Sequence, residues 1–379
     1  MKTIGIIAEY NPFHNGHIYH LEKIKELFPD SRLVLVLSGN FTQRGLPSII
    51  NKWDKTKIAL QYEIDLVIEL PYPFATQSAD IFAKGAIEIL NEVNCDYLVF
   101  GSESNNIEEL KELSNIQINN PEFNTLTKKY LDKGFNYPTA MNKALKDITG
   151  NEITLPNDLL GLSYIKEIIK QNSKIIPMTI KRTNNYHDIS IENNISSATS
   201  IREALKNDTD ISKTVPKSTL DIIKNSPIFL DDYFEYFKYQ VYTNKDLSKI
   251  LDVDEGIENK ILKVIDDVNN FDEFIEKIKT KRYTYNKIIR MINHILCEFT
   301  KEENQNYKHV KYLRILGFSK VGKTILKEIK KTTMLPIITK FSNTKELTLE
   351  KRITSIYSIP LKTNTLIKQE YQNKPIIYK

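Results

Sequence analysis

The chain has 379 residues, 41% of them hydrophobic and 27% charged, with a net charge of +5. That balance belongs to a globular protein of two or three domains and excludes a disordered or fibrous chain. No apolar run approaches the ~18 residues of a membrane span, no secretory leader precedes the first strand, and Cys95 and Cys297 suggest no disulfide framework, so the expected setting is cytoplasmic, with no membrane partner.

The first apolar run, Thr3–Ala8, reads as a buried strand. Asn11-Pro12 breaks it, because a residue before proline is pushed out of the helical region. His14-Asn15-Gly16-His17 then opens a helical period over His17–Phe28. Two imidazoles three residues apart share one face at that helix start. A helix N-terminus attracts phosphate through free N–H groups and its dipole, and Gly16 permits close approach. The spacing also suits capping or core histidines, or a metal site. Zinc would need a third ligand, with His187 as the distant candidate; His20 is poorly placed to close a tetrahedron. No metal site is expected.

Strands are predicted at Arg32–Leu37, Leu66–Leu70 and Tyr97–Gly101, and helices at Lys52–Tyr62 and Ser78–Val93. The strands are near-continuous apolar runs, as in a parallel sheet covered on both faces. The fold expected is α/β: a Rossmann-like parallel-sheet domain followed by a mainly α-helical C-terminal domain. Ligands of such sheets sit beyond the carboxyl ends of the strands, where loops 9–17, 38–47, 71–77 and 101–104 all lie.

Residues 106–171 turn helical, punctuated by Pro121, Pro138 and Pro156, and read as an insertion or lid. Ile175–Lys181 is a returning strand. A polar loop from Arg182 to Asp188 follows, and Ser196-Ser197-Ala198-Thr199-Ser200-Ile201-Arg202 opens a helix with hydroxyl caps available. The boundary is placed at 206/207, beyond which helical periods dominate: Ser218–Lys224, Asp231–Val241, Ile257–Val268, Phe271–Lys279 and Lys287–Phe299.

Charge divides along the same boundary. Residues 1–206 carry a net −3 and residues 207–379 a net +8, with +14 concentrated in 281–379. The asymmetry suggests a polyanion partner for the C-terminal part; a solvated lysine-rich surface fits the same counts. Lys281-Arg282-Tyr283-Thr284-Tyr285 precedes a helix bearing Lys287 and Arg290, and cations interleaved with aromatic rings suit an RNA loop; a charged helix start with Tyr283 packed inside fits the same residues.

Gly317-Phe318-Ser319-Lys320-Val321-Gly322-Lys323-Thr324 matches G-x-x-x-x-G-K-[ST] letter for letter. A P-loop needs a preceding strand and a surrounding parallel sheet. The surrounding pattern predicts a turn between two helices instead, with Lys320 and Lys323 facing solvent or a phosphate backbone.

His14-Asn15-Gly16-His17 resembles the H-x-G-H motif of the adenylyl-transferring nucleotidyltransferases. The wider stretch Glu9 to His17 resembles one family, the tRNA(Met) cytidine acetate ligases. Ser38-Gly39-Asn40-Phe41-Thr42-Gln43-Arg44-Gly45-Leu46-Pro47, Asp65 to Pro71, Ala79 to Ala83 and Phe100 to Glu103 share its blocks in the same order. Tyr312 to Phe318 resembles a block of the family's C-terminal region. Ile353-Thr354-Ser355-Ile356-Tyr357 lacks the acidic motif often found there.

The resemblance implies an ATP-dependent ligase that activates acetate as acetyl-adenylate and acetylates the wobble cytidine of elongator tRNA(Met), with ATP carried alongside Mg2+. His14 and His17 would be catalytic. Ile7, Ala8, Glu9, Tyr10, Asn11, Pro12, Phe13, His14, Asn15, Gly16, His17, Ile18, Tyr19 and His20 would wrap the nucleotide, joined by Gly101, Asn157, Arg182 and Thr183. Ser196 to Arg202 resembles the Ser/Thr-rich second motif. Lys281, Arg282 and Arg290 are the expected RNA contacts. The competing reading is a small-molecule adenylyltransferase of cofactor biosynthesis.

Overall fold

The computed structural model describes residues 1–182, 195–224, 227–342 and 344–379. Among these residues one sheet is formed by β1 (Thr3–Ala8), β2 (Arg32–Ser38), β3 (Leu66–Leu70), β4 (Tyr97–Ser102), β5 (Ile176–Lys181), β6 (Leu313–Phe318), β7 (Ile337–Ile338) and β8 (Ile376–Ile377). The order is β5-β4-β1-β2-β3-β6-β7, with β8 also beside β6. From β5 to β3 every pairing is parallel. The chain runs outward from β1 through β2 and β3, then returns to β1's other side as β4. That reversal is the topological switch point at which doubly wound sheets open a crevice.

Both faces are covered. Along β2, Leu33, Leu35 and Leu37 enter one core, while Val34 and Val36 enter the other. The period of two along a strand explains this division of one continuous apolar run.

The N-terminal helices are α1 (Asn15–Leu27), α2 (Lys52–Gln61), α3 (Tyr72–Ala75), α4 (Ala79–Glu92), α5 (Ile107–Asn119), α6 (Pro121–Asp132), α7 (Tyr137–Thr149), α8 (Pro156–Lys170) and α9 (Ala198–Lys206). Asparagines begin several of them. Asn51, Asn106, Asn120 and Asn136 each accept a main-chain N–H of the first turn, satisfying donors that would otherwise be orphaned. Gly150 ends α7 at φ 75°, a conformation that suits glycine. The 106–171 segment divides in two. Helix α8 is buried over most of its length and packs on α4 and α5, whereas α6 and α7 pack chiefly on each other.

Beyond 206 lie α10 (Lys217–Ile223), α11 (Phe234–Thr243), α12 (Ile257–Val264), α13 (Phe271–Ile278), α14 (Tyr285–Leu296), α15 (Lys301–Gln305), α16 (Lys320–Thr332), α17 (Lys345–Tyr357) and α18 (Thr365–Gln372). Strands return after the helical run, contrary to expectation. β6 runs antiparallel to β3, placing Leu66 opposite Phe318 and Glu69 opposite Arg314, so the sheet is mixed. Leu313 and Ile315 face one core and Leu316 the other. Arg314, a charged residue in mid-strand, obscured this pattern in the sequence because its carboxylate partners lie far away along the chain.

The Gly317–Thr324 match is therefore a strand-to-helix turn, not a turn between helices. It still makes no phosphate cradle. Gly317 and Phe318 belong to β6, and Ser319 alone separates the strand from α16. Ser319 N–H donates to the Asp65 carbonyl at 2.8 Å, and Ser319 Oγ accepts from Gly322 N–H at 3.1 Å. A Cβ at Gly322 would lie 1.8 Å from the Asp65 oxygen. The turn is closed against protein, and Lys320 and Lys323 point to solvent as expected.

Candidate active site

A cleft of about 340 Å3 opens where β1, β4 and β5 end. Ile7 and Ala8 come from β1, Phe100 and Gly101 from β4, and Ile180 and Lys181 from β5; Arg182 follows β5. Three helix starts reach it: α1 through Gly16 and His17, α8 through Pro156 and Asn157, and α9 through Ser197 and Ala198. Arg44, Arg182 and Arg202 lie on the walls, and Glu9 is the acidic lining residue. Helix dipoles and fixed guanidinium forks around one space make an anion site.

His14 is the N-cap of α1. Its Nδ1 accepts from Gly16 N–H at 3.1 Å, and its own N–H donates to His17 Nδ1 at 3.1 Å. The ring centroids lie 3.9 Å apart. Burial, then Arg182 and Arg202, push the His14 imidazole down to about 3. Burial, then His14 and Arg182, hold His17 well below its ordinary range. Both rings are therefore neutral, and each has its Nδ1 occupied as an acceptor. The proton sits on Nε2 in both, leaving two Nε2–H donors for a ligand. Burial also lowers His20, to about 4, and its Nε2 is buried with no hydrogen-bond partner among the described residues.

The rest of the 7–20 segment divides by role. Ile7, Ala8, Glu9, Tyr10, Asn11, Tyr19 and His20 line the cleft together with His14, Gly16 and His17. Pro12, Phe13, Asn15 and Ile18 do not. Phe13 is fully buried and stacks behind His17 at 5.4 Å. Asn15 donates to the Lys213 carbonyl at 2.8 Å, tying α1 to the segment before α10. Asn11-Pro12 is a cis peptide bond. The Asn11 carbonyl accepts from Arg202 Nη1 at 2.9 Å, which joins the first motif to α9.

Gly101 has no open space above it. A Cβ there would meet the Arg182 stem at 3.3 Å, so glycine makes room for the arginine. Asn157 is held by Glu103, whose carboxylate accepts from the Asn157 side chain and from Asn157 and Asp158 N–H. Asp158 in turn accepts from Glu103 and Ser104 N–H at 3.1 and 3.0 Å. On α9, Ser197 accepts from Ser200 N–H at 3.1 Å. Thr183 and His187 lie outside the described residues.

Sequence reasoning assigned no role to Gln43, Arg44 or Lys55. Gln43 N–H donates to Glu9, bringing loop 38–47 onto the cleft. Lys55 is fully buried and donates to the carbonyls of Glu9, Ser38 and Gly39 and to Ser48 Oγ, between 2.7 and 2.9 Å. It pins the ends of β1 and β2 together beneath the cleft. Gly45, at φ +90°, presses on α14: a Cβ would lie 2.8 Å from Arg290 Cα. A lysine within an amphipathic pattern carries no signal of this kind in sequence.

In the basic segment Tyr283 is packed inside, one of the two arrangements its sequence allowed. Lys281 is exposed. Arg282 is 54% exposed and pairs with Glu255 at 2.9 Å. Arg290 is largely covered and faces Asp252 at 3.3 Å. Tyr283 is buried, its hydroxyl bonded to Asp252 and Asp254 main chain. Tyr285, 48% exposed, is the available ring. Among the described residues no cluster of three metal-ligating side chains is present, and no helix is long and apolar enough to cross a membrane.

A switch-point cleft with an H-x-G-H pair at a helix start defines a nucleotidyltransferase, and the family model described as HIGH Nucleotidyl Transferase matches residues 1–373. Similarity over the full chain narrows this further. The tRNA(Met) cytidine acetate ligases of Clostridium novyi and Bacillus licheniformis are each 39% identical to it, covering all of this chain and 100% and 98% of theirs. Thermotoga maritima TmcAL superposes with a TM-score of 0.92 in its apo form and 0.89 bound with alpha-thio ATP, at 32% identity, covering 100% of this chain and 99% of that one. The chain belongs to the tRNA(Met) cytidine acetate ligase family.

Proposed function

We propose that the protein activates acetate with ATP and acetylates N4 of the wobble cytidine of elongator tRNA(Met). The observation that carries this reading is the pair of neutral, tautomer-fixed histidines facing a cleft walled by Arg44, Arg182 and Arg202. ATP would lie across the end of β1 with its phosphates at the start of α1. An acetate oxygen attacks the α-phosphorus, and the bond to pyrophosphate breaks. The Nε2–H groups of His14 and His17 and the arginines stabilise the negative charge that shifts toward the leaving pyrophosphate. The cytidine N4 amine then attacks the acetyl carbonyl; AMP leaves, and the amine gives up a proton. Both steps depend on positioning and charge stabilisation more than on an acid–base pair.

ATP fits the donors present. Magnesium would be carried by the phosphates rather than by a protein cage, since Glu9 is the acidic side chain on the lining. The nucleotide chemistry falls within 1–206, and the basic 207–379 part serves the tRNA. Incubating protein, ATP, acetate and total tRNA, then resolving nucleosides by mass spectrometry, tests the proposal. N4-acetylcytidine supports it; pyrophosphate release with no modified nucleoside favours a small-molecule adenylyltransferase.

A further inference from the structure

The α6–α7 hairpin plays no part in the mechanism above, yet its tip meets the basic segment. Asn136, the N-cap of α7, donates through Nδ2 to the Lys281 carbonyl at 3.4 Å, joining residues 145 positions apart. Around that contact lie two half-exposed tyrosines in equivalent places. Tyr137 begins α7 and is 52% exposed; Tyr285 begins α14 and is 48% exposed. Neither ring lines the cleft itself, but each is within electrostatic reach of residues on or next to its wall. Burial, then Asp80, holds the Tyr137 phenol above its ordinary value, and Asp80 follows Ala79 of the cleft wall. Burial, then Asp272, does the same for Tyr285, opposed by Lys206 and by Arg202 of the cleft.

The charge on this rim suits RNA. Lys143 stands 5.0 Å over the Phe135 ring at the hairpin tip. Lys281 and Arg282 continue the cationic face. The carboxylates of Asp80 and Asp231 are occupied by Lys166 at 2.6 Å and Lys206 at 2.7 Å, whereas the exposed Asp272 makes no ion pair among the described residues. A loop nucleotide presented to a cleft leaves its neighbours unstacked, and exposed aromatic rings replace that stacking without reading sequence.

We infer that the hairpin tip and the start of α14 form one RNA-contacting rim, on which Tyr137 and Tyr285 stack unpaired anticodon-loop bases beside the cytidine. The inference rests on the tRNA reading above and adds the insertion to it. The test is a salt titration of anticodon stem-loop binding, read by fluorescence anisotropy. Tyr137→Ala and Tyr285→Ala should each weaken binding roughly ten-fold, with melting temperature and salt slope unchanged, because stacking releases no counterions. Tyr137→Phe and Tyr285→Phe should bind like the wild type. Lys143→Ala should instead reduce the slope by ~0.7, as for one single-strand phosphate. Alanine variants that bind as tightly as wild type overturn the inference. If the wild type acetylates tRNA and the variants bind normally, the rim alone is wrong; if the wild type neither binds the stem-loop nor modifies cytidine, the tRNA reading and the rim fall together.

Discussion

The main-chain N–H of His14 donates to Nδ1 of His17 at 3.1 Å, so the second histidine of the motif caps the residue that caps the helix. The arrangement separates two tasks on opposite nitrogens: Nδ1 accepts from the backbone, which leaves Nε2–H as the donor of a residue that lines the cleft. The tasks are separable by mutation. Asparagine is a good N-cap but cannot place a donor where Nε2 lies. His14→Asn should keep the thermal stability of the wild type and lose kcat/KM for pyrophosphate release. His17→Ala should lose a similar factor with its circular dichroism unchanged. Removing one preorganised donor costs roughly 3 kcal/mol, on the order of a hundred-fold or more. Full turnover in either folded variant would remove that histidine from the chemistry.

Stability should depend on pH through the same residues. The folded values of His14, about 3, and His20, about 4, lie below the ordinary 6.5, and His17 is also lowered. The unfolded chain therefore binds more protons below pH 6.5, and stability is lost as pH falls from there toward 4. Glu350 acts in the opposite sense. Burial, then the Glu69 charge, raises its carboxyl from 4.5 to about 7, so its contribution is present at low pH and is lost as pH rises through 7. Melting temperature should rise between pH 4.5 and 6.5, and rise more steeply in Glu350→Gln, which removes the opposing group. Scanning calorimetry of the two proteins across that window checks both signs.

Lys323→Ala should leave ATP affinity unchanged in equilibrium binding. Lys323 is exposed on α16, and the turn before it commits its donors to Asp65 and the cap. A large loss of binding would restore a phosphate role to Gly317–Thr324.

What the sequence revealed follows from how local each feature is. The switch-point strands were legible because each is a short apolar run, and His14 and His17 because their cap bonds span three residues. Lys52 reads as an ordinary helix residue since its partner Glu370 lies 318 positions away. The approach of Gly45 to Arg290 was hidden for the same reason. Tyr283 and Tyr285 are alike in sequence, and only the fold around Asp252 and Asp254 decides which is buried. Arg290 looked free for RNA because Asp252 is distant in the chain.

Reversing Lys281 and Arg282 to Glu should weaken tRNA binding and lower its salt slope by about one for each phosphate no longer neutralised. The Arg282–Glu255 pair is exposed and contributes little to stability, so the fold should survive. Filter binding across a salt series reads the effect. Unchanged affinity and slope would show that this segment is only a solvated helix start.

The division proposed at 206/207 concerns chemistry alone, and the fold should not separate there. Lys52 and Glu69 are almost wholly buried and 2.7 Å apart. Their compensation comes from beyond 300: Glu370 lies 3.0 Å from Lys52, and Arg314 lies 2.7 Å from Glu370 and 3.4 Å from Glu69. Breaking a buried ion pair costs about 3–5 kcal/mol, because the remaining partner keeps its desolvation penalty. Glu370→Ala should therefore destabilise the full chain by about that amount, measured by denaturant unfolding. A fragment of residues 1–206 loses Arg314 and Glu370 together. It also bares the edge of β3, which β6 covers, and opens the core shared with the C-terminal helices. Such a fragment should show no cooperative thermal transition and no ATP binding. If it melts cooperatively and binds ATP, the C-terminal strands are an ornament on a self-sufficient nucleotide domain, and the buried network contributes far less than its burial implies.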